Sequence, residues 1–333
     1  MEFNKKNVIT FITNNAITVL LIMLVAYVGL TQGGFFSFRN LENIVSNVTP
    51  RFLIALGVSG CLITRGTDLS AGRAVGLGGV VACTLLQRSD YSGKFFSELG
   101  NMNPFIVLII VALLCGFFGL VIGMIVSYLK VPPFLATLGV QTVIYGLNLV
   151  YSKAEPIGGL KQEYTDIATL PIFTLGEFRF KWLFLFAIVF GFIFYILYNK
   201  TRYGKYMYAI GGNESAAEVA GVNVSKMKLK IYALAGIMYG IAGFILAAKS
   251  GGASVNLGMG YELEAIAACT IGGVSTNGGV GKVSGILLGV LVFELLKTSM
   301  QFIGIDTSLQ YVVQGIVIIV AVAIDIRKYI SKK

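Results

Sequence analysis

Residues 104–128 read PFIVLIIVALLCGFFGLVIGMIVSY, and no charge occurs between Asn103 and Lys130. About 20 apolar residues in a helix cross a hydrocarbon core of about 30 Å. This run is long enough to do so, and it sets the scale for the rest of the chain. Similar apolar spans lie near 12–30, 44–63, 71–88, 133–151, 182–198, 228–248, 284–303 and 308–325. A shorter one at 262–272 begins Glu262-Leu-Glu264 and ends in glycines, as a half-helix or a short tilted crossing would. The expected fold is all-α: a polytopic membrane protein of about ten transmembrane helices. It forms one transmembrane domain over 1–333, with weakly similar halves at about 1–151 and 182–333.

Composition agrees. The chain is 56% hydrophobic and 13% charged, with a mean hydropathy of +0.81. Soluble domains carry about 25% charged residues. The net charge of +10 has no basic stripe interleaved with aromatics, so nucleic acid is not expected. Cys61, Cys83, Cys115 and Cys269 stand alone in apolar stretches without paired spacing, and the chain has no His, so neither a metal site nor an enzyme active site is expected. Lys5-Lys6 before an apolar run has the look of a signal peptide. No small-x-small cleavage site follows, so a retained first helix is expected.

Basic residues concentrate on the cytoplasmic side of membrane proteins. With ten crossings and Lys5 inside, the inner segments collect Lys6, Arg65, Arg73, Lys130, Lys200, Arg202, Lys205, Lys226, Lys228, Lys230, Lys282 and the C-terminal Arg327, Lys328, Lys332 and Lys333. Arg39, Arg51, Arg88, Lys94, Lys153, Lys161, Arg179, Lys181 and Lys249 fall outside, balanced by acids. An even number of crossings with both termini in the cytoplasm is the better fit.

The long inner loop at 199–227 holds a short helix. Asn213 suits its N-cap, and Glu214 meets the partial positive charge of the helix start. Ala216, Ala217 and Ala220 make a small-residue face and Gly221 a stop. The same residues would serve a plain connector on the membrane surface. A lipid-surface helix carries Leu, Phe or Trp on its apolar face, whereas small residues favour a groove in a protein partner.

The run Ala216-Ala217, then Gly221 after three residues, resembles the cytoplasmic signature by which permease subunits of bacterial ATP-binding-cassette importers dock on their ATPase. Asn199-Lys-Thr-Arg-Tyr-Gly-Lys205, Ala209-Ile-Gly211-Gly212-Asn213, Thr67-Asp68-Leu-Ser70-Ala-Gly72, Pro133-Phe-Leu-Ala-Thr137-Leu-Gly139 and Gly272-Gly273-Val-Ser275 resemble the ribose/arabinose/galactose branch. Tyr261-Glu-Leu-Glu-Ala-Ile-Ala-Ala-Cys269 and Gln310-Tyr-Val-Val-Gln-Gly315 are most similar to its galactoside-importing members. The resemblance departs at 88–103 and 152–181, which leaves the sugar open, with ribose or another pentose as the alternative.

The resemblance implies ATPase coupling through Gly211, Gly212, Asn213, Glu214, Ala216, Ala217 and Gly221. It implies no cofactor on this chain, with ATP and Mg in the partner ATPase. It also implies an extracytoplasmic sugar-binding protein, a homodimer in the bacterial inner membrane and no covalent chemistry by the chain itself.

Gly66-Thr-Asp68-Leu-Ser70-Ala-Gly72 suits a broken helix at a cavity wall, and equally a polar turn capped by Asp68. Gly272-Gly273 through Gly285 fails as a phosphate loop, because residue 276 is Thr and residue 283 is Val. Gly281, Gly285 and Gly289 recur every four residues instead, a helix-packing pattern that Gly72-x3-Gly76 repeats in the first half. Glu294 and Lys297 are spaced to pair on one helix, and Glu262 and Glu264 to start a half-helix at the outer face. Gln141, Tyr145 and Asn148 share one helical face and are the candidate sugar-pathway residues, although bonding between helices explains them equally well. An ion-coupled secondary transporter would need Asp68, Glu294 or Asp325 as its ion site.

Overall fold

The computed structural model describes residues 16–330. Lys5, Lys6, the start of the first span at 12–15, and Lys332 and Lys333 lie outside the described residues. In chain order the helices are α1 Ala16–Thr31, α2 Phe38–Ile63, α3 Ala71–Leu85, α4 Pro104–Ser127, α5 Pro133–Ser152, α6 Gln162–Thr169, α7 Trp182–Lys200, α8 Arg202–Gly212, α9 Glu214–Val219, α10 Val224–Ser250, α11 Tyr261–Ile271, α12 Val283–Phe302 and α13 Thr307–Ile330. Six of them (α2, α4, α5, α7, α10 and α12) are long and apolar enough to cross a bilayer. Shorter apolar stretches are α3 and Thr307–Ala323 of α13.

Local chemistry sets the boundaries. Pro104 opens α4 behind Asn103, whose Oδ1 accepts the Phe105 N–H at 2.8 Å. Pro133 likewise opens α5, where the missing N–H costs nothing. Gly251 ends α10 in the left-handed conformation at φ 70°. The segment 152–181, between the spans at 133–151 and 182–198, folds into α6 and an antiparallel hairpin, β1 Pro171–Leu175 with β2 Phe178–Lys181. The hairpin is tied to α2, where Glu42 accepts the Arg179 N–H at 2.7 Å and lies 3.9 Å from Lys181.

Helix α10 is the central pillar, packed on α2, α3 and α4. Small residues let these helices close on one another. A Cβ at Gly119 of α4 would strike the Tyr232 carbonyl, and one at Gly236 of α10 would strike that of Cys115. In a bilayer, such close packing replaces the hydrophobic drive between helices. The glycine row expected to pack does so as well. Gly285 and Gly289 on α12 meet the carbonyls of Gly272 and Ala268, while Gly281, just ahead of α12, meets Ile63 and Val274.

One expected pair is absent among the described residues. Glu294 does not bond to Lys297 on its own helix; it is 2% exposed and faces α2. There Arg51 reaches Glu294 at 3.2 Å and Glu264 of α11 at 3.0 Å, and the Asn47 amide donates to Glu294 at 2.6 Å. The Lys249 ammonium bonds to the same Asn47. The planar guanidinium fork of Arg51 reaches both carboxylates from a neighbouring helix. Arg51, expected in an outer segment, is thus the clamp joining α2, α11 and α12.

Replacing Gly119 by Ala forces a methyl against backbone and is expected to cost about 1–3 kcal/mol. The midpoint of thermal unfolding in detergent should fall accordingly, whereas Gly139→Ala, with open space around it, should leave that midpoint unchanged or raised. Arg51→Met strands two carboxylates and is expected to cost about 3–5 kcal/mol. Adding Glu264→Gln and Glu294→Gln should restore part of that loss in the same assay.

Candidate functional site

Two segments leave the helical path within the bundle. The first, 64–70, climbs from the end of α2 to the start of α3; the second, 251–260, descends from the end of α10 to the start of α11. Tyr239 lies midway along the 27-residue α10 and donates to Asp68 of the first segment at 2.9 Å. The other Asp68 oxygen accepts the Ser70 N–H at 2.9 Å and the Ser70 hydroxyl at 2.6 Å. The Thr137 hydroxyl of α5 donates to the Thr67 carbonyl and accepts the Leu69 N–H, both at 3.2 Å. Irregular backbone is tolerated there because protein groups satisfy it.

The starts of the two short helices meet. A Cβ on Gly72 would collide with the Glu262 carboxylate and crowd the Gly258 carbonyl; one on Gly76 would crowd the Leu257 carbonyl. Glu262 and Glu264 do begin α11, beside Gly72 and Arg51 respectively. The non-helical descent of 251–260 carries them inward. With 11 residues at about 1.5 Å each, α11 covers only about half of a bilayer core. The same descent meets Arg73, which sits in the first turn of α3 and not in an inner segment. Its guanidinium donates to the Val255 carbonyl at 3.2 Å and to Asn256 at 3.4 Å, and lies 4.1 Å from the Tyr145 ring centroid.

Of the three α5 candidates, Gln141 and Tyr145 are half-buried, and the Tyr145 ring lies against Arg73. Asn148 is buried against Gly76, with its carbonyl oxygen unpaired. Arg73, Tyr239 and Asn256 were not among the sequence candidates. Arg73 had one usable signal, a charge placed two residues inside an apolar span. Tyr239 had none.

At one end of the bundle α8 and α9 meet two loops. Arg65 has φ 61° and donates to the carbonyls of Gly211 at 2.8 Å and Gly212 at 2.6 Å. The Gly279 N–H donates to the Ile63 carbonyl at 2.8 Å, and the Tyr208 hydroxyl to the Gly281 carbonyl at 2.8 Å. The Thr276 hydroxyl and N–H both donate to Asp325 of α13, at 2.8 and 3.1 Å. The glycine loop therefore spends its N–H groups on the chain itself.

Helix α9 starts as the residues dictate. Asn213 Oδ1 accepts the Ala216 N–H at 3.0 Å, and Gly221 follows with φ 86°. Glu214 also pairs with Lys228 of α10 at 2.7 Å. The alanines, however, do not form one outer face. Ala217 is 5% exposed and points into the body, while Ala216 and Ala220 face out and Val219 is 91% exposed at the tip. At 3.6 residues per turn, a six-residue helix set against α8 turns only one alanine inward.

The family model described as the branched-chain amino acid transport system / permease component matches residues 40–322. The galactose/methyl galactoside import permease protein MglC of Escherichia coli strain K12 is 43% identical over 99% of each chain. That of Haemophilus influenzae is 40% identical over 100% of this chain and 99% of its own. The ribose import permease protein RbsC of E. coli K12 is 31% identical over 93% of this chain and 92% of its own. No solved structure matches the chain. The sequence thus matches import permeases along nearly its whole length, and the chain belongs to the branched-chain amino acid transport system / permease component family.

Proposed function

We propose that the chain is the membrane-spanning subunit of an ATP-driven, binding-protein-dependent importer of a monosaccharide, of the galactose/methyl galactoside class. The observation that carries this reading is α9. It is a capped, two-turn helix whose apolar tip, Val219, projects from the bundle while its root is held through Gly211 and Gly212 by Arg65. A solvent-facing tip with a fixed root suits a helix that an ATPase moves. The substrate class rests on the identity of 43% to a galactose/methyl galactoside permease, against 31% to a ribose permease.

In this reading ATP and Mg are held by the partner ATPase, and the chain transports without covalent chemistry. The end bearing α8 and α9 lies in the cytoplasm, because Lys130, Lys200, Arg202, Lys205, Lys226, Lys228, Lys230 and Lys282 cluster there. Both termini lie on that side of the bacterial inner membrane. The opposite end, with α6 and the hairpin, receives the sugar-loaded binding protein. Two copies enclose the pathway, each a single domain of two halves that repeat a long helix, a non-helical segment and a short helix. Affinity resides in the binding protein, so the pathway holds sugar weakly and releases it. Ion coupling is disfavoured because Asp68, Glu294 and Asp325 already have partners in Tyr239, Arg51 and Thr276.

Proteoliposomes carrying the permease, its ATPase and galactose-loaded binding protein test this reading. Uptake of labelled galactose should stop with vanadate-type inhibition and survive collapse of ion gradients; the reverse would refute ATP coupling. Val219→Asp should lower uptake at least tenfold without lowering the thermal midpoint, since Val219 is exposed. Uptake at the wild-type rate would refute docking through α9.

A further inference from the structure

At the end of the bundle opposite α8 and α9, a cavity of about 540 Å³ lies among the α1–α2 turn, the start of α2 and the last turns of α10 and α12. Small-molecule sites span about 300–1,000 Å³. Two cations line it, Arg39 and Lys249, and no carboxylate does. Neither cation makes an ion pair among the described residues. The neighbouring cavity under the hairpin differs: it shares Arg39 and Asn43, but there Glu42 and Glu177 answer Arg179 and Lys181.

The walls leave donors unused. Lys249 bonds to Asn47, whose amide donates to Glu294, and Glu294 is already held by Arg51. An ammonium has three N–H donors, so Lys249 keeps two for the cavity. Thr298 lines the cavity at 4% exposure, and its side chain makes no hydrogen bond among the described residues. Ser37, the N-cap of α2, brings the partial positive charge of that helix start to the same wall.

The lip of the cavity is Gly33-Gly34, with nothing within 4 Å of where a Cβ on either would stand. Just ahead of this lip, Met23, Tyr27 and Leu30 are exposed on one face of α1, at i, i+4 and i+7. The opposite face of α1 packs inward, with Leu24 against Leu296 and Met300. An apolar stripe thus runs up to a cationic hollow. An anionic phospholipid has the two matching parts.

We propose that this cavity holds the phosphate of an anionic phospholipid, such as phosphatidylglycerol, with its acyl chains along Met23, Tyr27 and Leu30. Arg39, Lys249 and the Thr298 hydroxyl donate to the phosphate, and the amides of Asn43 and Gln301 suit headgroup hydroxyls. A neutral sugar would leave both cations unanswered, and free phosphate would leave the stripe unused. Through Asn47, an occupied site braces the clamp of Arg51 and Glu294. Such a site binds lipid whether or not the chain imports sugar.

The test follows the thermal midpoint of the purified permease in neutral detergent during titration with phosphatidylglycerol, phosphatidylcholine of the same chains, inorganic phosphate or galactose. Phosphatidylglycerol should raise the midpoint at a concentration about tenfold below that of phosphatidylcholine, as loss of charge-assisted contacts dictates. Arg39→Gln, on an exposed side chain, and Lys249→Gln should each remove about tenfold of that affinity. Arg88→Gln, which alters an exposed cation outside the cavity, should leave it unchanged. An equal response to the two lipids overturns the proposal, as does an equal loss in all three variants, which marks diffuse charge. The same rise with phosphate or galactose alone also overturns it, since the site would then take an ion or a sugar and not a lipid.

Discussion

Backbone amides and carbonyls in hydrocarbon must find partners, and the whole architecture follows from how two non-helical segments inside the bundle meet that demand. Segment 64–70 is satisfied by Thr137, Tyr239 and its own Asp68 and Ser70. Segment 251–260 is satisfied by turns such as Leu257 N–H to the Ser254 carbonyl and by Arg73 on the Val255 carbonyl. Both lean on α10, whose glycines bring α3 and α4 close enough to shield them from lipid. Without that pillar neither break would be affordable.

The long spans were legible in the sequence because hydropathy reports length and little else is needed. The run at 104–128 becomes α4 almost residue for residue, and the glycine row ending at Gly289 packs as its spacing implies. Asn213 and Gly221 bound α9 because capping is local chemistry. What escaped was long-range. Glu294 was matched to Lys297, three residues away, when its partner Arg51 lies on another helix. The hairpin at 171–181 was hidden because its anchor, Glu42, comes from the other half of the chain. Arg73 was counted with the inner charges because a sequence does not display the depth at which a helix begins.

Arg51 and Arg73 illustrate how packing gives one residue type different surroundings. Arg51 is enclosed by two carboxylates and an asparagine and serves as a rivet between α2, α11 and α12. Arg73 has a ring, a carbonyl and an amide around it and makes no ion pair among the described residues. The difference lies entirely in which helices face each side chain.

Helix α2 touches every level of the molecule: Glu42 under the outer hairpin, Arg51 at the clamp, Ile63 and the adjoining Arg65 at the roots of α8. Its 26 residues make a rod about 39 Å long, with Arg51 near its middle and Pro50 removing one backbone bond there. A rod pinned at its centre is a seesaw. A tilt of about 5° would carry each end about 1.7 Å, in opposite directions, given that length. Drawing one end toward a neighbouring helix would therefore push the other end away. Such a rod makes opening on one face and closing on the other a single rotation rather than two events needing separate timing.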